Sequence, residues 1–209
     1  MRLQDQLHVE GYFWMVARER GKIVPGSIRE GKNVVTLAGK EFITGAIAYA
    51  SMNGTPTGSS PITGTEQALQ YLAPIGIHDT IFRPDKIRYV GFGTSSQPEV
   101  PTVTRLVSPI AYDAVGGNFL AQMAVVSRSG GAITFARTFS EAEISLVGAV
   151  TLTEAGLFTD GDPLQSYTPR SRVRDLAHAT AQVPAAYKVL DPFKKTANFA
   201  LDVNWTLRF

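Results

Sequence analysis

The chain has no cysteine among its 209 residues, so disulfides, thiolate metal ligands and a cysteine nucleophile are excluded together. Charge is scarce as well, at 18% of residues against about 25% in an average soluble protein. A surface that short of charge is expected to be partly covered by partners. The net charge of +2 is too weak to announce a nucleic-acid or anionic-membrane binder. No window approaches the roughly 20 apolar residues that span a bilayer, and Met1–His8 lacks the apolar stretch of a signal peptide. The expectation is therefore a protein made in a cytoplasm, with no membrane insertion.

Catalytic motifs are missing too. His8, His78 and His178 stand too far apart for a metal-ligand spacing. Gly91-Phe92-Gly93 lacks the third glycine and the following helix of a dinucleotide fingerprint. Asp160-Gly161-Asp162 starts like a calcium loop, but the later oxygen ligands do not follow. No nucleophile elbow or phosphate loop occurs. No cofactor and no enzymatic activity are expected. The one chemical exception left open is a glycan-degrading site, which would need two carboxylates from Glu141, Glu143 and Glu154 or from Asp160 and Asp162 to converge in a cleft.

What the sequence does contain is strand pattern. Leu7, Val9, Gly11, Phe13, Met15 and Ala17 alternate, and a polar turn at Arg18–Lys22 leads to Ile23-Val24, which reads as a hairpin. Ile87–Gly93 alternates, and further strands are expected at Phe119–Ser127, Ala132–Phe139 and Glu143–Thr153. At the C-terminus Phe199, Leu201, Val203, Trp205, Leu207 and Phe209 alternate with polar or small residues without error. Val34 or Val35, Ala38, Phe42 and Ala46 recur at helical steps, which predicts a main helix near residues 32–50 with Asn33 as its N-cap. A short helix is expected at Thr65–Leu72. The fold class is mainly β, antiparallel and sandwich-like, in one domain over residues 1–209. Long loops are expected near 53–64 and 160–187, where turn formers or irregular sequence dominate.

Four passages in order resemble structural proteins of tailed-bacteriophage tails, baseplates and necks. They are Gly11–Trp14 with Gly21–Val24 and Lys32–Gly39; Ile87–Ser95 with Val100–Leu106; Thr151–Thr159, which carries Glu154-Ala155-Gly156-Leu157-Phe158; and Pro192–Thr196 with Leu201–Phe209. The resemblance implies a virion component without enzymatic activity, assembled in the host cytoplasm, whose partners are copies of itself and neighbouring particle proteins. The stretches Asn53–Gly64 and Arg170–Gln182 depart from the common pattern. Asn53, Thr57 and Ser59 in the first and Arg170, Arg172 and Arg174 in the second are the candidate assembly contacts. The arginines fit carboxylates of another subunit better than DNA, because Asp162 and Asp175 flank them and no aromatics interleave. Glu154 is expected to accept backbone N–H groups, Gly156 to allow a bend, and Leu157 and Phe158 to pack against Trp205. The alternative is a receptor- or carbohydrate-binding module of a fibre or spike. Its mark would be exposed aromatics on a concave sheet face, and Trp205 falls inside the core alternation.

Overall fold

A computed structural model describes residues 8–43, 87–114, 116–129, 131–146, 148–159, 176, 179 and 182–209. The alternating apolar residues form strands as the pattern predicts. β1 (Glu10–Glu19) and β2 (Lys22–Ile23) make the first hairpin, turning at Arg20 (φ 50°) and Gly21 (φ 80°), a left-handed pair suited to a tight turn between twisted strands. They are followed by β3 (Arg29–Val35), β4 (Ile87–Gly93), β5 (Ala121–Gln122), β6 (Ala124–Ser129), β7 (Ala132–Phe139), β8 (Val150–Thr159), β9 (Ala186–Lys195) and β10 (Ala200–Arg208). All pairings are antiparallel, in the order β5-β4-β8-β9-β3-β1-β10-β7-β6.

The expected mainly-β, antiparallel fold is the observed one. Its two layers belong to one nearly closed sheet, because one strand serves both layers at the first seam and two strands nearly continuous in the chain do so at the second. At one seam β3 pairs through Arg29–Asn33 with β1, then through Val34 and Val35 with β9. At the other, β5 pairs with β4 and β6 with β7, with only Met123 between them in the chain. Arg137 of β7 reaches across this second seam to the Gln122 carbonyl at 2.9 Å, lies over the rings of Tyr112 and Phe139, and is ion-paired with Glu143 at 2.6 Å.

The main core fills the space between the layers. Phe13 of β1 meets Trp205 of β10 edge to face at 5.0 Å, and Phe92 of β4 meets Phe139 of β7 at 5.7 Å. A second, smaller core lies on the other side of β4, β8 and β9. There Tyr89, Phe158 and Tyr187 are covered by Val103, Leu106, Phe119 and Leu120 from the connection between β4 and β5. Where the second core lies over them, these three strands are buried on both faces, as along Ala155–Phe158 of β8 and Ala186–Tyr187 of β9.

Four elements differ from expectation, the first being the strand expected at Phe119–Ser127, which is split into β5 and β6 around Met123. Residues 29–35 are strand, and the helix starts at Leu37 with Thr36 as its cap: the Thr36 hydroxyl accepts the Gly39 N–H at 3.0 Å. Asn33 instead lies in β3 opposite Gly11, where a side chain on residue 11 would overlap it. β8 begins at Val150 rather than at Glu143, after a loop in which Ile144 takes a left-handed φ of 71°. β9 was not expected; its register against β8 shifts between Leu152 and Glu154, opposite the stretch between Phe193 and Val189 that holds Asp191 and Pro192. The helix expected at 65–72, residues 44–50 of the main helix and most of the two long loops lie outside the described residues.

Candidate functional site

Glu154 is the most informative side chain of the structure. It lies on β8 on the face away from the main core, fully buried. Its Oε1 accepts the backbone N–H groups of Val107 at 2.8 Å and Ser108 at 3.1 Å, and its Oε2 accepts the Tyr187 hydroxyl at 2.9 Å. Tyr187 in turn accepts the Gln97 N–H at 3.1 Å. Glu154 faces Gly93 across the β4–β8 pair, and a Cβ at residue 93 would overlap Oε1. Gly93 is therefore the space in which the carboxylate sits. Burial pushes the Glu154 carboxyl above its usual range, although the donors from Ser108, Tyr187 and Val107 pull the other way.

A second carboxylate runs in the opposite direction. Glu99, in the covering connection, accepts the Val189 N–H and the Lys188 ammonium of β9, each at 3.1 Å. The sheet thus holds the connection through Glu154 while the connection holds the sheet through Glu99. Further pins are the Leu37 N–H on the Pro101 carbonyl at 2.9 Å and the Ile110 N–H on the Phe92 carbonyl at 3.0 Å. Residues 94–110 are fastened at both ends and in the middle. The backbone of this loop has little freedom left.

The expected role of Glu154 as an acceptor of backbone N–H groups is what the structure shows. Gly156 and Phe158 act differently from expectation. A side chain on Gly156 would meet the Phe158 ring at 2.7 Å, so the glycine makes room rather than a bend. Leu157 joins the core that holds Trp205, whereas Phe158 points to the opposite face and meets Phe119 edge to face at 5.8 Å. Strand alternation requires this split, since neighbouring residues cannot share a face. Asn53, Thr57, Ser59, Arg170, Arg172 and Arg174 lie outside the described residues, as do Asp160 and Asp162. Glu143 is taken up by Arg137 and by the Ser140 N–H at 2.8 Å, a set of partners separate from that of Glu154.

Among the described residues no group of three or more His, Cys, Asp or Glu could hold a metal ion, and no helix is long and apolar enough to cross a membrane. A cleft of about 210 Å³ opens beside the seam where β3 changes partner, lined by Val9, Glu10, Gly11, Lys32, Asn33 and Lys40 among others. Its charges include the ion pair of Lys32 with Glu10 at 3.1 Å. Lys195 at the end of β9 is fully buried, donating to the carbonyls of Glu141 at 3.0 Å and Thr196 at 2.9 Å; burial lowers its pKa to about 8.

Two aromatic residues escaped the sequence reading. Tyr12 and Trp14 occupy the even positions of β1, on the face opposite Phe13 and Met15, and Tyr12 is 43% exposed. The signal was present as two large rings at positions that strand alternation gives to solvent. Compared with known proteins, the chain matches no family model, no curated protein and no solved structure.

Proposed function

We propose that the chain is a structural component of a tailed-phage virion, built into the tail, baseplate or neck through contacts with copies of itself and with neighbouring particle proteins. The observation that carries this is the reciprocal fastening of residues 94–110 by Glu154 and Glu99. The fastened loop displays Val100 and Val107 at 42% and 45% exposure, and Leu37, bonded to it through Pro101, is 53% exposed. A symmetric assembly needs the same surface in the same shape in every copy, and a loop ordered in advance loses little entropy on docking. Large aliphatic side chains held in this way suit a protein that works by packing.

The passages that resemble phage tail proteins supply the parts of this device. Gly93 gives the space, Glu154 the carboxylate, Val100–Leu106 the loop, and Phe158 the core beneath it, with Phe13 and Trp205 in the main core on the other side of β4, β8 and β9. In this reading Glu154 is spent on two N–H groups and a hydroxyl, a packing duty rather than acid–base chemistry. The test is mass spectrometry of phage particles purified from cells expressing the chain, with Val100→Asp and Val107→Asp variants run in parallel. The chain is expected in the particles in stoichiometric amount, and the double variant is expected to fold but to be incorporated at least tenfold less. A chain left wholly in the unassembled fraction contradicts the proposal.

A further inference from the structure

Among the described residues, the outward face of β7, β10, β1 and β3 carries two rings that join neither hydrophobic cluster, on the same side of β1 as the buried Val16. Tyr12 and Trp14 are two residues apart on β1 and so project from the same face, about 6.8 Å apart along the strand. Trp14 is half-buried and belongs to neither hydrophobic cluster. The register surrounds each ring with polar neighbours. Tyr12 stands between Lys32 of β3 and Thr206 of β10, and Trp14 between Glu30 and Asn204. Beyond them Thr134 of β7 extends the Tyr12 row, its hydroxyl 3.0 Å from that of Thr206.

The composition of this face selects among partners. Its charges balance, with one ammonium and one carboxylate beside the rings, and Lys32 is further neutralised by Glu10. A polyanion such as nucleic acid would need an excess of cations. An apolar protein surface would leave the amide of Asn204 without a partner on burial, and the Thr206 and Thr134 hydroxyls with only the one bond they share, at a cost in free energy. A neutral sugar meets both requirements: its C–H faces cover the rings, and its hydroxyls both donate and accept. The geometry points to a glycan-binding face, in which Tyr12 and Trp14 stack against a short neutral saccharide and Asn204, Thr206 and Glu30 hydrogen-bond its hydroxyls. This role stands apart from the assembly surface around Val100 and Val107 and does not depend on it.

The two tryptophans make the test direct. Trp205 is fully buried, so emission quenched by iodide reports on Trp14. The full chain is titrated at millimolar concentration with maltotriose, cellotriose, chitotriose and a galactose trisaccharide. At least one is expected to protect Trp14 saturably. Affinity measured by calorimetry should fall at least tenfold in Tyr12→Ala and Trp14→Ala and several-fold in Asn204→Ala, which leaves both rings in place. Trp14→Phe should retain affinity within about threefold because a stacking ring remains. Circular dichroism establishes that each variant is folded. No protection by any of the four sugars, or protection that the substitutions leave unchanged, overturns the proposal. Protection that grows with protein concentration alone also overturns it and assigns the face to a second copy of the chain.

Discussion

Replacing Glu154 with alanine should destabilise the fold by about 2–4 kcal/mol. The substitution strands the N–H groups of Val107 and Ser108 and removes one partner of the Tyr187 hydroxyl. A buried donor left without a partner costs about 1–3 kcal/mol. Tyr187 keeps the Gln97 N–H, and water can reach part of the loop because Val107 is 45% exposed, so the sum stays below the three-donor maximum. Urea unfolding followed by circular dichroism gives the stability, and amide exchange at Val107 and Ser108 gives the mechanism. Both amides are expected to be protected in the parent and to exchange faster in Glu154→Ala. Glu154→Gln keeps an acceptor oxygen and should stay within about 1 kcal/mol of the parent at neutral pH. Because burial raises the folded-state pKa of Glu154, its contribution is fully present below the ordinary glutamate value and is lost as pH rises through the raised one. Acidification from neutral toward pH 4.5 should therefore stabilise the parent relative to Glu154→Gln. An alanine variant within about 0.5 kcal/mol of the parent, with unchanged exchange at residues 107 and 108, would refute the reasoning.

Gly93→Ala should cost about 2–4 kcal/mol by displacing the Glu154 carboxylate, and its effect should be much smaller in a Glu154→Ala background; a double-mutant cycle by urea unfolding measures that coupling. Lys195 has a folded pKa lowered to about 8, so the unfolded chain holds the proton longer and stability should rise with pH between about 8 and 10.5. The rise is at most about 1.4 kcal/mol per pH unit and should vanish in Lys195→Met, as thermal melts across that window will show. Thr36→Ala removes the hydroxyl that caps the helix at Leu37 and should lower stability by about 1 kcal/mol in the same unfolding assay, whereas Asn33→Ala should leave the helix start unchanged by hydrogen exchange.

The strands that the sequence displays plainly are those with one wet and one dry face. β1, β7 and β10 alternate because they carry the main core on one side only. The last residues of β3, Lys32–Val35, read as the start of the helix because Val34, Ala38 and Phe42 fall at helical spacing across the point where strand gives way to helix. Thr36, not Asn33, caps the helix, a choice that depends on where the strand lets go. β9 was hidden by Asp191 and Pro192, which lie where its register shifts. Glu154 could be picked out as a carboxylate with a structural duty, but its partners lie 33 to 47 residues away and only the pairing of β8 with β9 and the path of the covering loop bring them together. Tyr12 and Trp14 were legible in principle, since the alternation that placed Phe13 and Met15 inside placed them outside.

The most direct test of the assembly role is electron microscopy of purified phage particles built with a tagged copy of the chain. Density for the tag in a ring or sleeve at the tail, baseplate or neck, with residues 94–110 facing a neighbouring subunit, is the predicted result. Particles without tag density, although the tagged chain is folded and expressed, would contradict it.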